Sequence, residues 1–404
     1  MCIYGSFQTV QLREEVRRRH NAAAERDALV RCRAARGGIT SRTGSPQTAQ
    51  LREHVRRAAS SSAERDSLLA DLAVYNAFEH GIEIAHERVT PDFTSPGLRA
   101  AAAAADPAAA LRAAGVVVLG SGAYGVVAAG EFTFHHLVGG RQLTVRKACA
   151  VKTLWHEIAS EFNRRAFDRE VAISAGLAHR NIVRTFGTIP GPPRCLIMEA
   201  LLASLGDVLV PAAGHPPVGA LTLRESIDVC AGVAAGVAFL HDQKIVHGDL
   251  RPGNVLLDGL LVAKVSDLGT ARQMAAMGQG TAAGPVLGHY CAPERRAMGA
   301  AADAVARVMA NPRAWDAYSL SVLFLEVLTG ERADEARWAV LRDRVAHPPL
   351  RACLMEAHDP NPTLRPAVET LVVALRGAAG TRAYMDCAPS RRLARNAAGH
   401  LHLA

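Results

Sequence analysis

The run Ile245-Val246-His247-Gly248-Asp249-Leu250-Arg251-Pro252-Gly253-Asn254-Val255-Leu256-Leu257 constrains this chain more than any other stretch. It places a carboxylate, a guanidinium and a carboxamide at D-x-R-x-x-N spacing between apolar residues. A second apolar run, Val262-Ala263-Lys264-Val265-Ser266, then leads to Asp267-Leu268-Gly269. Any one of these acids could be an ordinary loop residue. As an ordered set they assign themselves chemistry. Asp249 can orient an attacking hydroxyl and accept its proton, and Arg251 can neutralise charge on a transferring phosphoryl group. Asn254 and Asp267 can offer oxygen ligands to Mg²⁺, with Asp267 the main ligand.

Upstream lies the matching phosphate-handling pattern, Gly120-Ser121-Gly122-Ala123-Tyr124-Gly125, after the apolar run Val116 to Leu119. Glycines at this spacing let the backbone approach a polyphosphate. Dinucleotide-binding turns share the spacing but open into a helix. Here Val126-Val127-Ala128-Ala129-Gly130 continues as a β-like run, which favours a hairpin over ATP. Cys149-Ala150-Val151-Lys152 ends an apolar strand in a lysine, and a buried lysine needs anionic partners. A surface lysine at a strand edge would be the default in isolation. Glu170, in the helical stretch Phe167 to Ile173, can pair with Lys152 and hold it over phosphates.

Short β-rich runs come first from about Leu111 onward (Val116 to Leu119, Val126 to Ala129, Ala148 to Thr153, Cys195 to Glu199). Longer helical patterns follow at Leu223 to His241 and Asp316 to Thr329, the order of a two-part α+β fold. Aromatics are only 5% of a chain that is 49% hydrophobic, so its cores must be filled mainly by Leu, Val and Ala. Residues 1–99 hold a duplication: Gln8-Thr9-Val10-Gln11-Leu12-Arg13-Glu14 recurs as Gln47-Thr48-Ala49-Gln50-Leu51-Arg52-Glu53. Leu12/Val16 and Leu51/Val55 recur at helical spacing. A pair of solvated helices is the simpler reading of this arm, and a docking arm for a protein partner the sharper one. Residues 100–113 read as an Ala-rich linker, 114–378 as the catalytic domain, and 379–404 as a basic C-terminal tail.

The net charge of +8 arises largely from Arg-rich stretches near the two ends. Those stretches lack interleaved aromatics, which argues against nucleic acid as a partner. Eight scattered cysteines form no C-x-x-C pair, so a reducing compartment and no disulfide framework are expected. The start Met1-Cys2-Ile3-Tyr4-Gly5 lacks the features of a secretory signal, and Asp106, Pro107 and Arg112 interrupt the apolar tract Ala100 to Val118. The expectation is an intracellular protein, cytoplasmic or nuclear, with no membrane segment.

Taken together, the segment from about Leu111 to Ala378 resembles a eukaryotic-type protein kinase catalytic domain. Tyr290-Cys291-Ala292-Pro293-Glu294 matches the family's A-P-E, and Asp316-Ala317-Tyr318-Ser319 the start of its central helix. Asn361-Pro362-Thr363-Leu364-Arg365-Pro366 matches the late arginine motif, which implies a pair between Arg365 and Glu294. The resemblance implies a bilobal fold, a β-rich lobe followed by a helical one, and use of ATP with Mg²⁺ on protein substrates. It also implies an adenine site with Met198 as gatekeeper, Glu199-Ala200-Leu201 as hinge, and Val127 and Ala150 against the base. The texture of Ser319 to Gly330 is similar to the tyrosine-kinase-like group of serine/threonine kinases. Pro252 resembles a serine/threonine form, although Arg251 is a tyrosine-kinase-like choice.

Several residues depart from the family pattern. Gly248 stands where an Arg usually reads a phosphate on the activation loop, which implies activity without loop phosphorylation. Leu268 replaces a Phe, and Leu287 falls where a Thr often sits. Extra residues between Gly125 and Lys152 imply a longer hairpin (Phe134 to Arg146), and an Ala-rich insertion, Ala297 to Pro312, implies a helix. The rival reading is an ATP-binding, pseudokinase-like scaffold that acts through its N-terminal arm. It finds support only in Gly248 and Leu287, because the glycines, Lys152, Glu170, Asp249, Asn254 and Asp267 are all present.

Overall fold

The structure is a computed structural model that describes residues 89–92, 96–102, 104, 106–122, 125–138, 141–154, 161–189, 194–210, 218–273, 288–296, 311–396 and 400–404. The duplicated arm, Leu287 and most of the Ala297–Pro312 insertion lie outside the described residues. The chain divides into two compact units, as the bilobal expectation requires. One comprises Met1–Gly120, Val126–Thr153 and Phe186–Ile197; the other comprises Ser121–Gly125, Leu154–Thr185 and Met198–Ala404.

The first unit is built on a six-stranded sheet. Its strands are β1 (Val89–Thr90), β2 (Val118–Gly122), β3 (Gly125–Val138), β4 (Arg141–Leu154), β5 (Thr185–Ile189) and β6 (Arg194–Glu199). They run in the order β1-β3-β4-β6-β5, with β2 also paired to β3. Because the chain after Gly125 continues as a strand and not a helix, the glycine pattern sits in a β2–β3 hairpin, as expected. The extra length before Lys152 is likewise hairpin: the β3–β4 register runs unbroken from Val126↔Thr153 to Val138↔Arg141. Side chains alternate along β3, with Val126, Ala128 and Phe132 buried, as the two-residue strand period demands. Phe132 meets Phe186 of β5 with ring centroids 4.8 Å apart. Cys149, Val151, Cys195 and Leu196 are buried with them.

The Ala-rich stretch 100–113 is largely helical. Helix α1 spans Pro96–Ala102 and α2 spans Pro107–Ala113. The Asp106-Pro107 pair that seemed to interrupt the tract starts α2: the Asp106 carboxylate accepts from the Ala109 N–H at 3.0 Å, and Pro107 occupies the first turn, where no N–H is needed. Leu111 is then fully buried.

The second unit is mainly helical. It contains α3 (Glu161–Ser174), α4 (Leu205–Leu209), α5 (Leu223–Asp242), α6 (Pro293–Arg296), α7 (Arg313–Thr329), α8 (Trp338–Arg342), α9 (Pro348–Ala357), α10 (Val368–Ala379) and α11 (Arg382–Met385). Helix α5 begins with a reciprocal cap, in which Thr222 accepts from the Glu225 N–H and Glu225 accepts from the Thr222 N–H. Helix α7 is buried on almost every side, which fits its continuous apolar composition. Val233 and Val237 of α5, Leu320 and Phe324 of α7, Leu354 of α9 and Leu371 and Leu375 of α10 share one core.

Short strands thread this unit: β7 (Ala203–Ser204), β8 (Ile245–Val246), β9 (Val255–Leu257), β10 (Ala263–Val265) and β11 (Arg272–Gln273). The basic C-terminal segment is folded here too. Strands β12 (Leu393–Arg395) and β13 (Leu401–Leu403) form a hairpin, Leu393 is buried in the core, and its N–H reaches the Gly259 carbonyl at 3.1 Å. Arg391 clasps Glu225 through its guanidinium at 2.8 Å, and Arg395 donates to the Leu202 carbonyl. These two tail arginines are therefore engaged within the chain.

Candidate active site

The chemistry-bearing residues of the second unit gather on two turns that a hairpin brings together. Strands β9 and β10 pair Val255 with Val265. Their flanking residues Asn254 and Ser266 therefore adjoin, and the Asn254 carbonyl accepts from both the Ser266 N–H (2.9 Å) and its hydroxyl (3.0 Å). Asp267 follows immediately in the left-handed backbone region (φ 59°), ahead of a tight turn at Leu268–Thr270. A Cβ on Gly269 would lie 3.3 Å from Asp267 Oδ1 and 3.7 Å from Glu170 Oε2. The Asp267 carboxylate thus lies tight against this glycine, the Glu170 carboxylate is in ordinary contact range, and α3 delivers Glu170 to the Asp267 turn. Leu268, the departure from Phe, is buried in the core beside Asp267.

The loop after β8 is fixed from below by one buried acid. Asp316, at the start of α7, accepts from the His247 N–H (2.9 Å), the Gly248 N–H (2.8 Å) and His241 Nε2 (2.9 Å). Burial opposes its ionisation, but the hydrogen bonds from His241 and the Gly248 N–H outweigh it and hold the carboxyl below its ordinary range. His247 completes the brace. Its Nδ1 accepts from the Asp249 N–H at 3.2 Å, so Nε2 carries the proton and donates to the Ser266 carbonyl at 2.8 Å. The loop of His247 and Asp249 and the Ser266–Asp267 turn are thereby joined through one imidazole.

Asp249 itself is partly buried. Asn254 Nδ2 donates to its carboxylate at 2.9 Å and to its carbonyl at 2.7 Å, and Arg251 Nε stands 3.6 Å away. Burial raises the Asp249 pKa; the Arg251 charge and the Asn254 hydrogen bond pull against it, and Asp267 adds to the rise. Such an environment suits a proton acceptor. Because the Asn254 nitrogen is committed to Asp249, its Oδ1 is the atom that can ligate a cation. Asn254 Oδ1 and the Asp267 carboxylate form an oxygen-only set of the kind Mg²⁺ takes beside waters and phosphate oxygens. No group of three or more His, Cys, Asp or Glu among the described residues forms an all-protein metal cage.

The remaining expected residues are placed as follows. In the first unit, the register sets Val127 opposite Lys152 and Ala129 opposite Ala150, so Val127, Ala150 and Lys152 share one sheet face. Lys152 is buried, as is Glu170 in the second unit. Gly120 and Gly122 lie on β2, and Gly125 opens β3 with φ 134°. Met198 and Leu201 are half-buried. The Glu199 carboxylate pairs with Lys264 at 2.9 Å and accepts from the Arg184 N–H at 2.7 Å, and its own N–H donates to the Arg184 carbonyl at 2.9 Å, which leaves its backbone carbonyl as the part a base could reach.

The implied pair is present. Arg365 makes a two-pronged bond to Glu294, at 2.6 and 2.7 Å, with neither side chain appreciably exposed. Two structural features beside Asp249 are not legible in the sequence. Asp316 was visible only as a motif, without its bracing role. Arg295, beside Gly248, left no signal in the sequence.

A sequence profile of the family described as protein tyrosine and serine/threonine kinase matches residues 116–372. The chain belongs to the protein kinase family. Among curated relatives, this kinase is similar to MDIS1-interacting receptor like kinase 1 of Arabidopsis thaliana, 30% identical over 264 residues, 60% of this chain and 23% of that protein. It is also similar to receptor-like kinase TMK4 of the same plant, 32% identical over 225 residues, 54% of this chain and 22% of that one. A third, G-type lectin S-receptor-like serine/threonine-protein kinase At1g61390, is 31% identical over 232 residues, 53% and 24% of the respective chains. The kinase thus spans about a quarter of the length of these relatives. No helix among its described residues is long and apolar enough to cross a membrane.

Proposed function

We propose that the protein transfers the γ-phosphate of ATP to hydroxyl side chains of other proteins, serine and threonine in preference to tyrosine. The observation that carries this reading is the braced loop, in which Asp249 is oriented by Asn254, His247 and Asp316 beside the Asp267 turn. A scaffold that only bound nucleotide would have no need of an aligned proton acceptor. Asp249 orients the incoming hydroxyl and takes its proton, and Arg251 neutralises charge as the phosphoryl group moves. Lys152 and the glycines 120, 122 and 125 serve the α-, β- and γ-phosphates. Asn254 and Asp267 would hold Mg²⁺, which when bound offsets phosphate charge. Positioning and charge neutralisation supply most of the rate in this kind of transfer. The serine/threonine preference draws on Pro252 and on relatives named as serine/threonine kinases.

The test is phosphate incorporation from labelled ATP with Mg²⁺, for wild type beside Asp249→Asn, followed by phosphoamino-acid analysis. Label on serine and threonine that falls by about 10²-fold or more in the variant is expected. Equal incorporation by the two proteins would remove Asp249 from the mechanism. Magnesium-dependent ATP binding with no transfer above the variant would establish the scaffold instead.

A further inference from the structure

Gly248 stands where the family pattern usually has an arginine, and the structure shows what occupies the neighbourhood. Gly248 adopts φ +76°, a conformation that L side chains rarely take. A Cβ built there would lie 3.4 Å from Nη1 of Arg295 and 3.7 Å from the Thr270 carbonyl. Arg295 projects from α6, 47 residues away in sequence, and donates that Nη1 to the Gly248 carbonyl. Its guanidinium also stacks on the Trp315 ring, 4.8 Å from the centroid. Glycine at 248 and arginine at 295 are thus complementary: the side on which a residue at 248 would emerge is filled by a cation from another element.

The bond falls at a sensitive place. The Gly248 carbonyl and the Asp249 N–H belong to one peptide unit, the one that carries the Asp249 Cα. That unit is held at its N–H end by His247 Nδ1 and at its C=O end by Arg295. The preceding peptide is held by Asp316 through the Gly248 N–H. We infer that Arg295 is a positioning residue for Asp249, clamping the peptide that aims its carboxylate and doing so without a phosphate or a cation at position 248. The inference rests on the role proposed for Asp249. It also accounts for a glycine at 248 in a loop that is otherwise fully braced. A guanidinium suits this role because it can stack and donate at once, whereas an ammonium cannot match its planar fork.

The test compares wild type, Arg295→Met and Arg295→Lys in steady-state transfer assays and in amide hydrogen exchange across residues 245–257. Met keeps apolar bulk against Trp315 but lacks a donor, so the fold should persist, and thermal unfolding checks that it does. For Arg295→Met, kcat should fall about ten- to a hundredfold while KM for ATP stays within about twofold, the pattern of a misaimed acceptor. Exchange at the Asp249 amide should speed up, and Arg295→Lys should recover part of both losses. Unchanged kcat and unchanged exchange in Arg295→Met would overturn the inference, as would a loss confined to KM. If wild type itself transfers no phosphate, faster exchange at Asp249 in the variant would still uphold the clamp, and the proposed activity alone would fall.

Discussion

Replacing Arg365 with Met should be among the most destabilising single changes available in the helical unit. Its guanidinium is fully buried and bonds both oxygens of Glu294, and it donates also to the carbonyls of Asp359 (2.7 Å), Ala314 (2.9 Å) and Pro360 (3.3 Å). It lies over the Tyr318 ring, 5.0 Å from the centroid. Methionine restores much of the volume and none of the donors, so a carboxylate and three carbonyls lose their partner together. Removing one member of a buried ion pair costs roughly 3–5 kcal/mol. For a unit of this size each kcal/mol moves the midpoint by about 2–4 °C, so thermal unfolding should begin about 6–20 °C lower. Differential scanning fluorimetry would show the shift, and urea unfolding would give the free energy. The double variant Glu294→Leu/Arg365→Met removes both charges and should be less damaged than Arg365→Met alone. A midpoint change under about 2 °C for the single variant, or a double variant worse than the sum of the two singles, would refute the reasoning.

Three further outcomes follow from other parts of the molecule. Asp267→Asn should raise the Mg²⁺ concentration for half-maximal transfer by about tenfold or more while leaving thermal stability near wild type, because the lost charge belongs to the metal site; a magnesium titration checks it. His358, stacked between Trp338 (4.0 Å) and Tyr318 (4.5 Å), is held down to about 4 by burial and by the Arg365 and Arg296 charges. The unfolded chain binds this proton below about pH 6.5 and the folded one only near 4, so its contribution is complete above 6.5 and is lost as pH falls towards 4, up to about 3 kcal/mol. His358→Gln should therefore flatten part of the acid limb of a stability profile, though not all of it, since burial also lowers His179 to about 4. Burial works against ionisation of Glu225, but Arg391 and backbone N–H groups outweigh it and bring the carboxyl down to about 2. Arg391→Ala should destabilise the protein at neutral pH, and this difference from wild type should shrink as pH falls from about 4.5 towards 2.

Legibility in the sequence followed the distance over which each feature acts. Asp249, Asn254 and Asp267 could be identified because their spacing is set by one loop and one hairpin, both encoded within about twenty residues. The β2–β3 turn could be told from a dinucleotide turn because the residues after Gly125 have strand texture and no helix period. The Glu294–Arg365 pair spans 71 positions, and only the resemblance to a family supplied it. Arg295 had no such guide, since nothing local marks an arginine as the neighbour of a distant glycine. The Asp106-Pro107 start of α2 was legible in principle, as a capping acid followed by a first-turn proline, but the surrounding alanines masked it. In the tail, strands of three residues are too short for alternation to show, so Leu393 could not be recognised as a core residue.

The folded tail bears on where this protein can be cut. The family match ends at residue 372, and a shortened chain stopping near there would look complete by comparison with its relatives. It would nevertheless uncover the core surface that Leu393 seals and strip Glu225 of Arg391 at the head of α5. A recombinant fragment with that boundary would expose an apolar seam and an unbalanced acid, and should accumulate as aggregate.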